Sequence, residues 1–284
     1  MNNLRNSEIL KSFDEKREVF KPYGLTFEKW KTSLMGKFDR HNEIEINFFP
    51  DGGISYFFQN HKVDIPPGRM AIFWGLIPHK IIAYEHETSY YVCTIPLTMF
   101  LSWELPNTFV NALLKGEVLI EGSSDYKRFD TYLFEQWLEE VRNGLPKRAS
   151  LYELQARVLR MSERVMANNQ ANPMIHSSEL NLIEQIAIYI AKNYNNSIKI
   201  SDIGKSVGLH PDYANAIFKK AFGRTLTEHI TIERITHAQR KLITTDAPVV
   251  EIAMDCGFNS ISSFNASFRK LNNCTPREYR RQFL

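Results

Sequence analysis

The amino-acid sequence predicts an α+β fold, with an N-terminal β-barrel accompanied by helices and a C-terminal region that is entirely helical. Three observations lead to this prediction. Residues from about 24 to 100 alternate between short strand-like runs and turn signals. Apolar residues recur at helical spacing from about Ser123 onward. The last third of the chain contains an internal repeat of helical segments.

Strand signals in the first hundred residues follow one another closely. The run NEIEINFF places Ile44, Ile46 and Phe48 on one face and polar side chains on the other. The turn signals PDGG and PPG separate the later runs ISYFFQN, HKVDI and RMAIFWGLI. Closely spaced strands joined by short turns are typical of an antiparallel barrel or sandwich.

The helical part begins with the segments RFDTYLFEQWLEEVRN and SLYELQARVLRMSERVMAN, in which apolar residues stand three and four positions apart. The following stretch, NNQANPMIHSS, has no periodicity and is typical of a linker. These changes of pattern predict a first domain over residues 1–166, a linker over residues 167–179 and a second domain over residues 180–284.

Two segments of the second domain match each other at a spacing of 49 to 50 residues. They are ISDIGKSVGLHPDYANAIFKKAFGRT and VEIAMDCGFNSISSFNASFRKLNNCT. Equivalent pairs include Ile203 and Ile252, Gly208 and Gly257, Asn215 and Asn265, and Thr225 and Thr275. Each copy predicts a short helix, a glycine-containing turn and a second helix. This is the helix-turn-helix pattern, whose second helix enters the major groove of DNA.

The second helix of each copy presents short hydrogen-bonding side chains where surface helices usually carry Glu and Lys. Asn can bond two atoms of adenine, Ser bonds several base edges, and Ala can contact a thymine methyl group. Arg and Lys mostly bind phosphate oxygens. We therefore predict that double-stranded DNA is contacted by Asp212, Asn215, Ala216, Lys219, Ser262, Ser263, Asn265, Ala266 and Arg269. The alternative is that the two copies are ordinary helical hairpins with polar surfaces.

The segment between the two copies, TLTEHITIERITHAQRKLITT, predicts a helix of about 20 residues and thus about 30 Å. Successive major-groove faces of DNA lie about 34 Å apart. A rigid helix of this length can hold both recognition helices on one face of the duplex. We therefore expect a single chain to read two adjacent groove segments.

Composition and motifs argue against several other classes of protein. No run of about 18 apolar residues occurs and the first 20 residues are polar, so we expect neither a membrane span nor a secretory signal. Three scattered cysteines favour a reducing cytoplasm. The P-loop, dinucleotide-binding, nucleophile-elbow and HExxH motifs are absent. Residues from 179 onward carry 14 basic and 10 acidic side chains, which points weakly to nucleic acid.

Three features stand together in residues 180–284: the turns at Gly208 and Gly257, the segment EIAMDCGFNSISSFNASFRK, and the closing TPREYRRQF. In these features the region resembles the DNA-binding domain of the AraC family of transcription regulators. Two departures are Asn273, where the family usually has Gly, and Ala214, where a bulkier apolar residue is common. The resemblance implies a non-enzymatic, ligand-responsive activator with RNA polymerase as a partner.

The family resemblance also implies a homodimer formed through residues 1–166. One helical stripe in that region is apolar: Leu151, Leu154, Val158, Met161 and Val165. The stripe either packs on the barrel or forms the interface between subunits.

The segments IFWGLIPHKI and IPLTMFLSWELP of the first domain resemble the cupin-like sensory domain of the same family. This resemblance implies a small sugar as effector, with an α-galactoside such as melibiose as the first candidate. Asp39, His41 and Glu45 share strand parity, and His79 follows a proline where a second cupin motif places its histidine. We predict that these four residues bind the sugar and that Trp74 supplies a flat apolar face.

The same four polar residues allow other interpretations. Their side chains could ligate a divalent metal, which would make the protein a metal-dependent cupin enzyme, such as an isomerase or dioxygenase, with an appended helical domain. They could also line a polar pocket, or His41 and His79 could simply satisfy each other. The duplicated motif favours the regulator over the enzyme, because an enzyme has no need of two groove-reading helices one DNA turn apart. We expect no cofactor.

Overall fold

The structure is a computed structural model that describes residues 10–59, 61–145, 147–167 and 182–281. The predicted linker, residues 167–179, lies outside the described residues except for Ala167, the last residue of a helix. The strands are β1 Thr26–Lys31, β2 Glu43–Phe49, β3 Ile54–Phe58, β4 His61–Ile65, β5 Arg69–Trp74, β6 His79–Tyr84, β7 Ser89–Pro96 and β8 Leu119–Ile120. The helices are α1 Leu97–Leu101, α2 Asn107–Leu114, α3 Lys127–Arg142, α4 Arg148–Ala167, α5 Leu182–Asn193, α6 Ile200–Ser206, α7 Pro211–Phe222, α8 Leu226–Thr244, α9 Val249–Asp255, α10 Ile261–Asn272 and α11 Pro276–Arg281.

The strands form two antiparallel sheets. The larger has the order β1-β7-β2-β5-β8 and the smaller the order β4-β3-β6. Strand β2 is buried on both faces: Ile44, Ile46 and Phe48 face a core shared with the helices, whereas Phe49 joins the core between the sheets. The predicted α+β class, with antiparallel strands first and helices after them, is confirmed.

Helices α3 and α4 cover the outer face of the larger sheet. The apolar stripe of α4 is buried in this core, with Leu151, Leu154, Val158, Met161 and Val165 all at most 4% exposed. The stripe therefore packs within the chain, as one of the two interpretations held, and is not available as an interface between subunits.

The C-terminal helices form two helix-turn-helix units joined by one long helix. The first unit consists of α6 and α7, the second of α9 and α10, and α8 runs between them. Apolar residues of α8, including Ile235, Ala238 and Leu242, pack against Phe264 and Phe268 of α10. Because α8 shares cores with both units, it fixes how the two are placed. None of the helices in the described parts of the chain is both long and apolar enough to cross a membrane.

Candidate functional site

The second helix-turn-helix unit is built around a tight turn between α9 and α10. Gly257 has φ of 86°, and a Cβ atom there would lie 2.8 Å from the backbone oxygen of Asn195, so only glycine fits. The Ser260 side chain caps α10 by accepting a hydrogen bond of 3.2 Å from the Ser263 amide. One face of α10 is buried through Phe264 and Phe268. The opposite face exposes the predicted residues Ser262, Ser263, Asn265, Ala266 and Arg269.

The first unit repeats this construction with different capping residues. Helix α7 begins after His210 with Pro211 in its first turn and ends at Gly223, whose φ is 68°. Ala214 and Phe218 are buried. Of the predicted contact residues, Asp212, Ala216 and Lys219 are exposed. Sequence reasoning missed Tyr213, which is 57% exposed on the same helix and is equivalent to Ser263 of the second unit.

The two equivalent asparagines differ in their surroundings. Asn215 is half-buried, and its side-chain oxygen accepts a hydrogen bond of 2.9 Å from the backbone amide of Leu226 at the start of α8. The equivalent of Leu226 in the second unit is Pro276, which has no amide hydrogen, and Asn265 is exposed. The side-chain oxygen of Asn215 is thus engaged in holding α8 and is not free to accept a hydrogen bond from a base, while base reading by Asn215 and Asn265 stays a prediction.

Matching caps stabilise the helices that follow the two recognition helices. At the start of α8, the Glu228 carboxylate accepts a hydrogen bond of 2.7 Å from the Thr225 amide, and Glu278 and Thr275 repeat the arrangement at α11. Asn273 ends α10 with φ of 56°, where α7 ends at a glycine. Asn is one of the few residues that adopt this left-handed conformation readily, so the departure from glycine leaves the turn intact. Helix α8 has 19 residues, about 29 Å.

The comparisons with known proteins cover both halves of the chain. A family model described as "Helix-turn-helix domain" matches residues 203–282, which contain both units. The melibiose operon regulatory protein of Escherichia coli is 28% identical over 250 residues, covering 85% of this chain and 82% of the relative. The transposon Tn10 TetD protein of Escherichia coli is 32% identical over 103 residues, covering 36% of this chain and 75% of the relative. The chain belongs to the AraC family of transcription regulators.

A solved AraC-type transcriptional regulator from Chromobacterium violaceum is 26% identical, covers 36% of this chain and 91% of its own, and superposes with a TM-score of 0.35. The family model and the two relatives confirm the family predicted from the sequence and its likeness to the melibiose regulator. This AraC-family chain is accordingly a DNA-binding transcription regulator and not an enzyme.

The four polar residues predicted to bind an effector converge at one place in this AraC-family chain. His41 is fully buried; its Nδ1 lies 3.1 Å from Glu43 and its Nε2 lies 2.8 Å from Glu45. Asp39 and His79 form an isolated antiparallel bridge, and His79 Nε2 lies 3.7 Å from Glu45. Asp39 and His41 precede β2 and do not share a strand with Glu45, so the predicted parity is wrong although the side chains meet.

The cluster also contains residues that the sequence did not identify, and these bind its carboxylates. Arg17 donates a hydrogen bond of 2.7 Å to the Asp39 carboxylate, and the Tyr23 hydroxyl donates another of 2.8 Å. Glu43 alternates with His41 and Glu45 in the sequence, a signal that could have identified it. The remaining cavity, which Tyr23 and Trp30 help to line, has a volume of about 20 Å³, enough for roughly one water molecule.

Hydrogen bonds within the cluster determine the charges of His41 and Glu45. Burial alone would lower the pKa of His41, but hydrogen bonds to Glu43 and Glu45 outweigh it and raise this pKa to about 9. Burial would likewise raise the pKa of Glu45, yet its bond with His41 keeps that pKa below the usual value. The His41 ring is therefore a cation at neutral pH and donates one hydrogen bond to each carboxylate.

The possibility of a metal depends on the same atoms. Potential ligand atoms of Asp39, His41 and His79 lie within 4.8 Å of one another. The Arg17 guanidinium already pairs with Asp39, and both ring nitrogens of His41 donate to carboxylates. A divalent cation would have to displace both positive charges, so the arrangement suits a closed ion-pair cluster better than a metal site.

The prediction that Trp74 belongs to this site is wrong. In the register of β2 with β5, Trp74 pairs with Ile44 and Phe73 pairs with Glu45. Alternate residues of a strand face opposite sides of the sheet, so Trp74 lies in the core against the helices while Phe73 lies 5.0 Å from the His79 ring. The aromatic residues that line the small cavity are Phe13, Tyr23, Trp30, Tyr56 and Tyr90.

Proposed function

We propose that this protein is a sugar-responsive transcription activator that reads two adjacent major-groove segments with α7 and α10. The observation that carries the proposal is the pair of recognition helices, each exposing short polar and basic side chains and each anchored to α8. Helix α8, at about 29 Å, approaches the roughly 34 Å between successive groove faces. Sequence readout is assigned to Ser262, Asn265 and Ala266, and phosphate contacts to Lys219 and Arg269.

The proposed effector is a small sugar, with an α-galactoside such as melibiose as the first candidate. Support comes from the relative named as the melibiose operon regulatory protein, whose similarity extends over 85% of this chain and so includes the N-terminal half. Homodimer formation and contact with RNA polymerase belong to the same proposal. The buried stripe of α4 is excluded as the dimer interface.

Binding of a sugar by Asp39, His41, Glu45 and His79 stays a prediction. The cluster is closed in this structure, because its carboxylates are already paired with His41, Arg17 and Tyr23. A sugar could reach these residues only after Arg17 and Tyr23 had moved away from Asp39.

The test is selection of preferred sites from random duplex DNA by the full chain, followed by chemical footprinting with and without melibiose. We expect protection of two major-groove segments about one helical turn apart on one face of the duplex. Melibiose should change the affinity or the footprint. Protection of one segment only would contradict reading by both helices, and an unchanged footprint at saturating sugar would contradict melibiose as the effector.

A further inference from the structure

A cavity of about 320 Å³ lies where the N-terminal half meets the DNA-binding helices. Asn42 and Glu43 border it on one side. Arg224, His229 and Glu233 border it on the other. This volume lies within the roughly 300–1,000 Å³ usual for small-molecule sites, whereas the cavity beside His41 holds about one water molecule. The larger cavity can therefore accept a sugar ring without first being opened.

Polar atoms at this cavity are buried without partners. His229 is only 3% exposed, and neither of its ring nitrogens is hydrogen-bonded among the residues that the structure describes. Its Nε2 lies 3.5 Å from the Glu233 carboxylate, which is too long for a good hydrogen bond. The side-chain oxygen of Asn42 is also unsatisfied within the described residues. Buried polar groups normally have partners, so these atoms call for a ligand or ordered water.

The chemistry of the lining selects a neutral, hydroxyl-rich molecule. Burial and the nearby Arg224 lower the pKa of His229 to about 3, so its ring is neutral, with one donor and one acceptor. A hydroxyl group both donates and accepts and can therefore satisfy His229 and Asn42 together. Charges of both signs border the cavity through Glu43 and Arg224, which favours no net charge on the ligand. Phe222 and Tyr23 add aromatic surface of the kind on which sugar rings pack.

We infer that this interdomain cavity, and not the cluster around His41, is the binding site for the sugar effector. The inference rests on the proposed function, since it assumes that a sugar is the effector. A ligand in this cavity would also be coupled to the DNA-binding helices. Asn42 donates a hydrogen bond of 3.1 Å to Glu233, and Thr98 donates one of 2.9 Å to the same carboxylate. A ligand held by Asn42 and His229 would therefore contact α8, the helix against which both recognition helices pack.

The decisive variant fills the cavity without removing a buried polar group. Thr236 is half-buried and lines the cavity from α8. Thr236→Leu should weaken binding of melibiose and galactose to the full chain at least tenfold in isothermal titration calorimetry. Thr231 is also half-buried on α8 but does not line the cavity, so Thr231→Leu is the matched control and should bind as the wild type does.

A measurement on the unmodified chain provides a second reading. Hydrogen exchange with saturating sugar should slow in peptides covering α8, where His229 and Thr236 lie, and not in peptides covering β6. Unchanged sugar affinity in Thr236→Leu, together with a tenfold loss in His79→Ala or protection confined to β6, would overturn the inference and leave the proposed function intact. If the unmodified chain binds neither sugar, the sugar effector itself is refuted, and this inference fails with it.

Discussion

At the scale of single residues, the equivalent asparagines of the two repeats differ in their contacts within the chain. Asn265 is exposed on α10, whereas the oxygen of Asn215 is committed to the Leu226 amide. We predict that Asn265→Ala weakens binding to the selected site by about 1–3 kcal/mol and hardly changes binding to random DNA, because it removes a base contact. Arg269→Ala should weaken both and reduce the salt dependence, because it removes a phosphate contact. Fluorescence anisotropy at several salt concentrations measures all of these quantities.

Equal losses on specific and random DNA in Asn265→Ala would mean that this residue reads no base. Asn215→Ala provides the contrast. It should lower the free energy of unfolding by about 1–2 kcal/mol, because the Leu226 amide loses its partner.

The two turn glycines, Gly208 and Gly257, allow the cost of left-handed backbone strain to be measured separately from the cost of a steric clash. Gly208 and Gly257 have φ of 69° and 86°, but a Cβ atom at 208 meets nothing within 4 Å while one at 257 meets the backbone of Asn195. Gly208→Ala should therefore cost only about 1–2 kcal/mol of left-handed strain. Gly257→Ala should lower the free energy of unfolding by clearly more, because the backbone atoms of Asn195 must move as well. Denaturant unfolding of both variants measures the difference, and equal costs would argue against the close approach to Asn195.

At the scale of elements, α4 provides a test of what its apolar stripe does. Val158 is fully buried against the sheet, whereas the adjacent Leu159 is 38% exposed. We expect Val158→Asp to lower the free energy of unfolding by several kcal/mol, because it places an unpaired charge in the core. Leu159→Asp should change it by less than about 1 kcal/mol. If sedimentation showed that Val158→Asp dissociates a folded dimer without loss of monomer stability, the stripe would be an interface after all.

The sequence predicts the strands and helices of this protein better than it predicts which of them pack together and in what register. Periodicity gave the strands around Ile44 and the helices of both repeats, because a strand or an amphipathic helix imposes its own spacing on apolar residues. Trp74 was misplaced because strand register, which pairs it with Ile44 and not with Glu45, is a property of two strands together. Arg17 could not be assigned to Asp39, because their contact depends on how the chain before β1 folds back.

At the scale of the whole molecule, Glu233 connects the stability of the interface between the halves to pH. Burial raises its pKa to about 7, Glu43 adds repulsion, and hydrogen bonds from Thr98 and Asn42 act in the opposite direction. His229 and Arg224 face it from the DNA-binding side. The folded pKa lies above the unfolded value near 4.5, so the folded state favours the protonated acid. Stability should therefore fall as pH rises from about 4.5 to 7, by about 3 kcal/mol from this group.

Glu233→Gln isolates this contribution, because glutamine keeps the shape and cannot ionise. Its melting temperature relative to the unmodified chain should rise between pH 5 and pH 7.5. His41 titrates in both proteins, and its own stabilising effect is lost between about pH 6.5 and 9, so it cancels in the comparison. A difference that does not vary over this range would show that Glu233 is already ionised in the folded protein at pH 5.

The engaged Asn215 and the exposed Asn265 also give the two repeats unequal freedom to evolve. We expect a substitution at 265 to alter recognition without disturbing a backbone contact, because Pro276 has no amide hydrogen for this side chain to bind. A substitution at 215 removes the hydrogen bond that holds the start of α8. When variants are selected for binding to altered operators, we expect changes to accumulate at 265 and its neighbours while 215 is retained. The second repeat would then acquire new target sequences while the first preserves the alignment of the protein on DNA.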